Sequence, residues 1–366
     1  MGVPCGQISQ MKEFNIALIP GDGIGKEVVP EGTRVLDAAA KVHGGIKFSY
    51  RDFPWSCEYY QKHGRMMPAD GLEQLRPFDS IFLGAVGFPG VPDHVSLWEL
   101  IAPIRRGFQQ YACVRPIKLL PGVKSPLADR SPQDIDFVVV RENNEGEYSN
   151  MGGRIYSGTP NEIVSQINIF TRMGTERIIR YAFELARRIG KKKVTSATKS
   201  NGINFSMPFW DEVFWQIAKG YPEIESEQMH IDALSARFVT HPQRFGVVVG
   251  SNLFGDILTD LGAAIAGSIG IAASGNINPE RQYPSMFEPV HGSAPDIAGK
   301  GIANPLGQIW SGAMMLDHLG HAELATRIVS AMSAVMQSGM RTPDLGGNAN
   351  TRQVTDAVVA RMLKAG

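Results

Sequence analysis

Cysteine, unbalanced charge and long apolar runs are all scarce in this sequence of 366 residues. The three cysteines Cys5, Cys57 and Cys113 are far apart and form no CxxC pair, so no disulfide framework is predicted. Basic and acidic residues number 36 each, which argues against nucleic-acid and membrane partners. No apolar stretch reaches the roughly 18 residues of a membrane-spanning helix, and no secretory signal is visible. These absences predict a soluble, cytoplasmic protein.

Apolar runs alternate with helical patterns along most of the chain. Strand-like apolar runs occupy residues 14–20, 46–53, 80–83, 137–140, 193–196 and 246–249. Amphipathic helical patterns occupy residues 26–42, 172–189 and 254–266. Apolar strands separated by helices are typical of parallel sheets that are covered on both faces. The sequence therefore predicts an α/β fold with doubly covered, mostly parallel sheets. Residues 152–170 alternate like a hairpin and would form an arm that pairs with another subunit.

A glycine-rich turn, GDGIG at residues 21–25, follows the first predicted strand and precedes a helix. Such a turn can hold a phosphate group at the N-terminus of the helix. The dinucleotide fingerprint of a Rossmann domain needs a further glycine where this chain has Lys26. A tight strand–helix turn without a ligand is therefore an equal alternative.

A second loop, residues 288–305, has the sequence EPVHGSAPDIAGKGIANP. Gly292 and Ser293 offer backbone N–H groups to a phosphate with little steric bulk. Asp296 could accept hydrogen bonds from a ribose diol, which favours NAD over NADP because a carboxylate would repel the 2′-phosphate. The alternative is a surface loop, although loops of this length are more often functional.

Asp256 and Asp260 are four residues apart in a predicted apolar helix and so share one face. Two like charges on a largely buried helix are unfavourable unless another group compensates them. A hard divalent cation, Mg²⁺ or Mn²⁺, would do so through the carboxylate oxygens. The alternative is that each aspartate has an arginine partner or faces water. The eight histidines show no HExxH or CxxC–histidine spacing, so zinc is not predicted.

Several cationic residues lie next to predicted strand ends or helix starts, where ligands of α/β proteins bind. Arg141 follows the strand at 137–140, and Arg105 and Arg115 lie in the segment IAPIRRGFQQYACVRP. Guanidinium groups match carboxylates in a bidentate geometry. Lys199 follows the strand at 193–196, and beside a metal its pKa would be lowered, as acid–base catalysis requires. Sequence spacing does not show whether these groups meet.

The order of several motifs resembles one enzyme family, the β-decarboxylating 2-hydroxyacid dehydrogenases, which includes isopropylmalate, isocitrate, D-malate and tartrate dehydrogenases. The motifs are GDGIGKEV, LGAVG, IRR followed by VRP, VVRENNEGEY, ATKSNG, HIDALSARFV, SNLFGDILTDL and FEPVHGSAPDIAGKGIANP. The resemblance implies the two-domain isopropylmalate dehydrogenase-like fold, not a true Rossmann fold. A cofactor domain would comprise residues 1–110 and 268–366. Residues 111–267 would bind substrate and metal and form the dimer, with an arm near 151–170.

The resemblance also implies roles for individual residues, NAD and Mg²⁺ or Mn²⁺ as cofactors, and a homodimer with shared sites; it leaves open whether K⁺ takes part. The implied substrate-binding residues are Arg105, Arg115, Arg141, Trp98 and Asn201. The implied metal ligands are Asp256, Asp260 and, from the neighbouring subunit, Asp232. Lys199 of that neighbour, together with Asp232, would remove the hydroxyl proton, and Tyr148 would protonate the enol. The cofactor would lie along Gly21, Gly23, Ile24, Glu288, His291, Gly292, Ser293, Ala294, Asp296 and Asn304.

Within this family, the segments DFPWSCEYYQKHGRMMP, GVPDHVSLWELIAPIRR and SATKSNGINFSMPFWDE resemble the tartrate and D-malate (decarboxylating) branch. Trp98 occupies the region where isopropylmalate enzymes have an aliphatic pocket, and its bulk would favour smaller acids; the alternative is that the ring turns into the core. We therefore predict oxidation and decarboxylation of tartrate or D-malate. A 3-isopropylmalate dehydrogenase and a non-catalytic nucleotide-binding regulator are the alternatives. The family commonly has Asn-Leu-Arg-Pro where this chain has Cys113-Val114-Arg115-Pro116, which predicts altered packing around a retained arginine.

Overall fold

The computed structural model describes residues 11–364, and Cys5 lies outside them. The strands are β1 (Lys12–Gly21), β2 (Ile46–Asp52), β3 (Ser80–Ala85), β4 (Ala112–Lys118), β5 (Asp136–Glu142), β6 (Gly152–Ile155), β7 (Ile163–Gln166), β8 (Lys193–Thr198), β9 (Glu225–His230), β10 (Val247–Gly250), β11 (Ala273–Ile277) and β12 (Ser285–Pro289). The helices are α1 (Gly25–His43), α2 (Cys57–His63), α3 (Gly71–Leu75), α4 (Asp93–Ser96), α5 (Ala102–Gly107), α6 (Arg172–Arg188), α7 (Ser206–Ala218), α8 (Ile231–Thr240), α9 (Asn252–Ile265), α10 (Leu306–His318), α11 (Ala322–Gln337) and α12 (Thr351–Lys364). None of these helices combines the length and the apolar character that crossing a lipid bilayer demands.

One large sheet organises the described chain, in the strand order β2-β1-β3-β12-β11-β4-β5-β10-β8-β9. Neighbouring strands are parallel except at its centre, where β12 with β11, β11 with β4, and β4 with β5 pair antiparallel. The predicted α/β fold with mostly parallel pairing is therefore confirmed, as one continuous sheet. Strands on the β2 side come from both ends of the chain, and those on the β9 side from its middle. The predicted cofactor domain, residues 1–110 plus 268–366, and the predicted substrate domain, residues 111–267, are compatible with this distribution of strands. The division into two domains stays a prediction.

Both faces of the sheet are covered, which explains why strands such as β3 and β10 are buried at every position. On one face, which we call the front, α9 packs so closely on β5 that a Cβ at Gly255 would lie 2.5 Å from the Cβ of Arg141. Helices α6 and α10 pack on the opposite face, the back. Side chains alternate between the two faces along each strand.

The N-terminus of α9 is held by a carboxylate. Glu147 accepts hydrogen bonds from the hydroxyl group of Ser251 at 2.7 Å and from the backbone N–H of Leu253 at 3.0 Å. A negative charge at this end of a helix is favourable because the first N–H groups have no partner within the helix. This contact fixes α9 against the segment that follows β5.

Strands β6 and β7 form a separate antiparallel hairpin in which every residue is exposed. Four large apolar side chains of this arm are more than half exposed: Ile155, Tyr156, Ile163 and Val164. The hairpin predicted from the alternating pattern is therefore present. Its pairing with another subunit stays a prediction.

Candidate active site

Arg141 and Asp256 form the centre of a polar cluster on the front face. The buried guanidinium group of Arg141 donates to Asp256 through Nη1, and to the side-chain oxygen of Asn252 from Nε at 3.0 Å and from Nη2 at 2.7 Å. Asn252 and Asp256 are four residues apart on α9 and therefore share one face. The hydroxyl group of Tyr148 donates to the other oxygen of Asp256 at 2.9 Å. The sequence predicted Arg141, Tyr148 and Asp256, and the structure brings them together.

Arg115 reaches the same helix from the neighbouring strand β4. Its Nη1 donates to the hydroxyl group of Thr259 at 2.6 Å. The same nitrogen lies 3.6 Å from Asp256 and 4.0 Å from Asp260. The two aspartates therefore face one guanidinium group, as their spacing of four residues predicted.

Cys113 is part of the surroundings of this arginine. Arg115 donates through Nε to the hydroxyl group of Ser274 at 3.3 Å, and the sulfur of Cys113 lies 3.4 Å from the same hydroxyl group. The thiol thus contacts the serine that holds Arg115 in place. Whether this packing differs from that around Asn-Leu-Arg-Pro in the family stays a prediction.

Arg105 enters the front face from α5, on the other half of the sheet. Its Nη2 donates to Glu288 at 2.7 Å, and both side chains are 9% exposed. Asn276 donates to the same oxygen of Glu288 at 2.8 Å. The Nε of Arg105 is buried and has no hydrogen-bond partner among residues 11–364. A buried donor without an acceptor is costly, so this N–H group points to a ligand that supplies one.

The three guanidinium groups are close enough to influence each other. The pKa of Arg141 lies below its usual value because of burial, and the charges of Arg115 and Arg105 lower it further. Burial alone would raise the pKa of Asp256, but Arg141 and Arg115 outweigh this and hold it below its ordinary range. Burial raises the pKa of Asp260, and the charge of Asp256 adds to the effect. Within the described chain, Asp256, Asp260 and Glu288 balance the three guanidinium charges, so the cluster is close to neutral and its donors are held in place by the carboxylates.

Asp256 and Asp260 offer hard oxygen donors that fit Mg²⁺ or Mn²⁺. Their side chains are 35% and 63% exposed, so both oxygens are accessible from the cleft. Within residues 11–364, Asp232, Asp256 and Asp260 do not bring three oxygens within 4.8 Å of one another. One chain therefore brings two of the three predicted ligands close to one guanidinium group, and the contribution of Asp232 from a neighbouring subunit stays a prediction. The pairing of Asp256 with arginine also matches the alternative weighed from the sequence.

Lys199 and Asp232 lie together but apart from this cluster. The Nζ of Lys199 is 3.1 Å from an oxygen of Asp232, and the aspartate side chain is 68% exposed. Lys199 follows β8, which β10 separates from β5 in the sheet. Asn201 is exposed in the turn after Lys199. Within the described chain these three predicted residues form a second polar group that faces solvent.

The GDGIG turn packs against the second glycine loop. The backbone N–H groups of Asp22, Ile24 and Gly25 donate to backbone carbonyl groups at 2.7–3.0 Å. A Cβ at Gly23 would lie 2.0 Å from the carbonyl oxygen of Ser293, so glycine is required there. These N–H groups already have acceptors, which favours the tight-turn alternative over a phosphate cradle made by this turn. A cofactor would contact Gly21, Gly23 and Ile24 through other atoms.

The loop from His291 to Asn304 offers an open site beside that turn. The Nε2 of His291 is buried without a partner among the described residues, and burial lowers the pKa of this imidazole. A Cβ at Gly292 would meet nothing within 4 Å, and Asp296 is exposed. Ala294 has a φ of 41°, a strained conformation for a residue with a side chain. This loop therefore has free groups where a cofactor was predicted.

The side chain of Asn304 already forms two hydrogen bonds within the protein. Its side-chain nitrogen donates to Asp344 at 3.0 Å, and its oxygen accepts from the N–H of Leu306 at 3.0 Å. The residue therefore holds the start of α10. Any contact of Asn304 with a cofactor would come in addition to this role.

Trp98 lines the cleft rather than the core. It lies in a π-helical turn, Leu97–Ile101, and borders a small cleft together with Arg105 and Tyr148. The guanidinium group of Arg106 lies 4.9 Å from the centre of its ring. π-Helical turns are frequent at functional sites because they redirect side chains. The alternative in which the ring turns inwards is not what the structure has.

One residue of the site, Asn252, was missed from the sequence, and so was a buried acid next to Arg141 in the chain, Glu142. Asn252 could have been found, since it lies four residues before Asp256 on the same helix face. Glu142 follows Arg141 directly and is 1% exposed. Its carboxylate accepts from the N–H groups of Asn144 at 3.0 Å and Glu145 at 2.7 Å. No pattern in the sequence distinguishes this buried acid from the other acidic residues around it.

Glu142 should make the stability of the fold depend on pH. Burial raises the pKa of Glu142 from its ordinary 4.5 to about 7, although the two N–H groups oppose this. The folded state therefore keeps a proton that the unfolded chain releases, and the free energy of unfolding falls between about pH 4.5 and pH 7, by up to about 3 kcal/mol. Urea denaturation of Glu142→Gln at pH 5 and pH 8 should show a smaller pH dependence. Glu73→Gln, an exposed control, should match the parent; equal pH dependence in all three proteins would contradict the prediction.

Comparison with known proteins confirms the family resemblance. Residues 15–358 match the isocitrate/isopropylmalate dehydrogenase family. The chain is 57% identical over 355 residues to the "Probable tartrate dehydrogenase/decarboxylase" of Bacillus subtilis (strain 168), covering 97% of this chain and 99% of that protein. It is also 57% identical over 361 residues to the D-malate dehydrogenase (decarboxylating) of Escherichia coli (strain K12), covering 97% and 100%. The crystal structure of isocitrate dehydrogenase from Methylococcus capsulatus is 37% identical, with a TM-score of 0.86 over 96% of this chain and 100% of that one. The chain therefore belongs to the isocitrate/isopropylmalate dehydrogenase family, a family of enzymes.

Proposed function

We propose that this chain oxidises a small 2-hydroxy dicarboxylate, tartrate or D-malate, with NAD and a divalent metal, and decarboxylates the product. The observation that carries the proposal is the convergence of Arg105, Arg115 and Arg141 beside Asp256 on the front face. The names of the two relatives that are 57% identical support the choice of substrate. D-malate would yield pyruvate and carbon dioxide.

The arginines suit a dicarboxylate because they come from different elements and surround one space. Arg105 lies on α5, and Arg115 and Arg141 lie on adjacent strands at the centre of the sheet. Each guanidinium group can grip a carboxylate through two parallel N–H bonds. A substrate with two carboxylates can therefore bridge the two halves of the sheet.

Asp256 and Asp260 would hold the Mg²⁺ or Mn²⁺ ion. Such an ion polarises the 2-hydroxyl group and stabilises the negative charge that develops on its oxygen. The arginine contacts of Asp256 keep its pKa low, so its carboxylate is ionised and ready to bind a cation at neutral pH. Asp260 is open to the cleft and can turn towards the same ion.

Three protein groups would move protons: Lys199, Asp232 and Tyr148. Lys199 would take the proton of the 2-hydroxyl group and pass it to Asp232, whose oxygen lies 3.1 Å from its Nζ. NAD, when bound, would supply the hydride acceptor. Oxidation creates a ketone next to a carboxylate-bearing carbon, which then loses carbon dioxide to give an enol. Tyr148 would protonate that enol. Burial and the charge of Asp256 raise the pKa of Tyr148. Its hydroxyl group is therefore protonated and can donate this proton to the enol.

Lys199 and Asp232 would act in the site of a second copy of the chain. In one chain this pair faces solvent and lies apart from Asp256, although the chemistry needs a base at the substrate. The exposed apolar arm formed by β6 and β7 provides a surface for such a homodimer. Each site would then combine the arginine cluster of one copy with the lysine of the other.

NAD would lie along the loop from Glu288 to Asn304. Glu288 is hydrogen-bonded to Arg105, so this end of the loop lies beside the proposed substrate site. The free Nε2 of His291 and the open space at Gly292 leave room for the rest of the dinucleotide. Asp296 is exposed and would select NAD by accepting from the ribose diol.

A substrate panel tests the proposed function. NADH formation would be followed by absorbance with D-malate, the tartrate isomers and 3-isopropylmalate, with MnCl₂ or with EDTA. We expect turnover of D-malate or tartrate that needs Mn²⁺, with a kcat/KM at least about tenfold above that of 3-isopropylmalate. A reversed preference would favour an isopropylmalate enzyme. Absence of NADH with every acid would favour the non-catalytic regulator.

Trp98→Ala should shift the substrate preference. Removing the ring enlarges the cleft and frees Arg106, which lies 4.9 Å from it. We expect the ratio of kcat/KM for D-malate to that for 3-isopropylmalate to fall by about tenfold. A change of this size is typical when a pocket gains room for one or two more methylene groups of the substrate. Trp215→Ala, on the outer side of α7, serves as the control and should leave the ratio unchanged. A fall in both kcat/KM values by the same factor would contradict a role in specificity.

A further inference from the structure

A cavity of about 620 Å³ lies on the back of the sheet, opposite the arginine cluster. Strand β4 lines it with Val114, Pro116 and Lys118, whereas Arg115, between them, points to the front. The same alternation holds in β12, where Phe287 lines the cavity and Glu288 contacts Arg105. The cavity is therefore separate from the proposed active site, although it uses the same strands.

The walls of this back cavity come from both halves of the sheet. Helix α6 contributes Tyr181 and Arg188, while α10 and α11 contribute Trp310 and Ala325. Its volume falls in the range of about 300–1,000 Å³ that is usual for small-molecule sites. Trp310 is 6% exposed and Phe287 is fully buried, so both form an apolar floor. A ligand here would have an apolar body.

The charge around the back cavity is mainly positive. Lys118, Arg188 and Arg281 line it, and none of them belongs to an ion pair within residues 11–364. Of the two lining carboxylates, Asp136 is paired with a lysine at 3.2 Å, which leaves Asp317 as the one negative charge without such a partner in the described chain. Three cations against one free carboxylate favour an anionic ligand.

The positive charges around the back cavity also act on His318, which lines it. Burial lowers the pKa of His318 to about 4, and the charges of Arg281 and Arg188 add to the effect. The imidazole is therefore neutral at pH 7 and adds a ring face rather than a charge. It lies against Phe287, with 5.7 Å between the ring centres. The aromatic floor and the two arginines thus belong to one site.

We propose that the back cavity is a regulatory site for a small organic anion with an aromatic or other apolar body. The anionic group would pair with Arg188 and Arg281, and the body would pack on Trp310 and Phe287. Such a ligand touches α6 on one half of the sheet and α10 and α11 on the other, so it biases the orientation of the two halves. Substrate binding depends on that orientation, because Arg105 and Arg141 lie on different halves.

Binding is tested with 8-anilinonaphthalene-1-sulfonate, an aromatic anion whose fluorescence rises in apolar sites. We expect one saturable site per chain, with affinity lowered about tenfold in the Arg188→Gln/Arg281→Gln double variant. Arg187→Gln is the matched control, since Arg187 pairs with Glu223 at 2.7 Å and does not line the cavity. Equal affinity in the double variant and the control, or displacement of the dye by NAD, would overturn the site.

A cavity-filling variant adds a test that does not depend on charge. Ala325→Phe places a ring in the cavity from a half-buried position on α11, and Ala360→Phe puts the same ring on the exposed side of α12. We expect dye binding to be lost only in the first, with circular dichroism showing that both variants fold. If Ala325→Phe does not fold, the arginine variants alone decide, because both arginines are exposed. Retained dye binding in folded Ala325→Phe would overturn the site.

The regulatory part rests on the proposed function and is measured separately. In the wild-type protein, saturating dye should change the KM for the preferred dicarboxylate by about threefold or more, and the Arg188→Gln/Arg281→Gln variant should lose this response. An unchanged KM would refute the regulatory role of the back cavity, but it would not refute the cavity as a binding site. Absence of any turnover would instead refute the proposed function, because dye binding is measured without substrate.

Discussion

Asp256→Asn is expected to lower kcat/KM by about a thousandfold. The change removes one proposed metal ligand and the carboxylate that pairs with Arg141 and lies 3.6 Å from Arg115. The buried guanidinium group of Arg141 would then lack its counter-charge, which costs about 3–5 kcal/mol in comparable buried pairs, and Arg115 would keep only Asp260 at 4.0 Å. The site would therefore lose both the bound cation and the contacts that hold its arginines in place.

Three measurements separate these effects. Steady-state kinetics give kcat/KM, titration with Mn²⁺ followed by electron paramagnetic resonance gives metal affinity, and thermal denaturation gives stability. Asp356→Asn is the matched control, since Asp356 is an exposed aspartate on α12 that pairs with an arginine. Activity of Asp256→Asn within a few fold of the parent would contradict both the metal site and the proposed function. Loss of activity with unchanged Mn²⁺ affinity would contradict the metal role alone.

Mixing two inactive variants should restore about one quarter of the parent activity if the sites are shared between copies. Lys199→Met and Asp256→Asn are each expected to be inactive as homodimers. In a mixed dimer, one site combines an intact Asp256 with an intact Lys199, and the other site carries both defects. Random exchange makes half of the dimers mixed, and each of these has one working site of two.

The experiment requires that hybrids form, which native mass spectrometry of variants with different tags can establish. Lys219→Met, an exposed lysine on the surface after α7, is the control and should be active by itself. Hybrids that form without regaining activity would show that Lys199 does not serve a neighbouring site. A monomeric protein in solution would contradict the shared site directly.

Secondary structure was predictable where burial makes the pattern simple. Strand β10 is apolar at each of its first three positions because both of its faces are covered, and it was predicted at 246–249. Helices α6 and α9 were predicted because one side of each is apolar at helical spacing. Strands β4 and β11 were missed because polar residues interrupt them. Arg115, Ser274 and Asn276 are buried among partners that only the fold supplies.

The order of amino acids is enough to say which chemical groups are present and which of them share an element. Asp256 and Asp260 face the same way because a helix repeats every 3.6 residues, and this follows from spacing alone. The meeting of Arg105, Arg115 and Arg141 was decided by the tertiary structure. The antiparallel centre of the sheet places β4 between β11 and β5, and so joins strands distant in sequence. Local spacing carries no information about such long-range pairing, whose free energy comes from burying both halves of the sheet together.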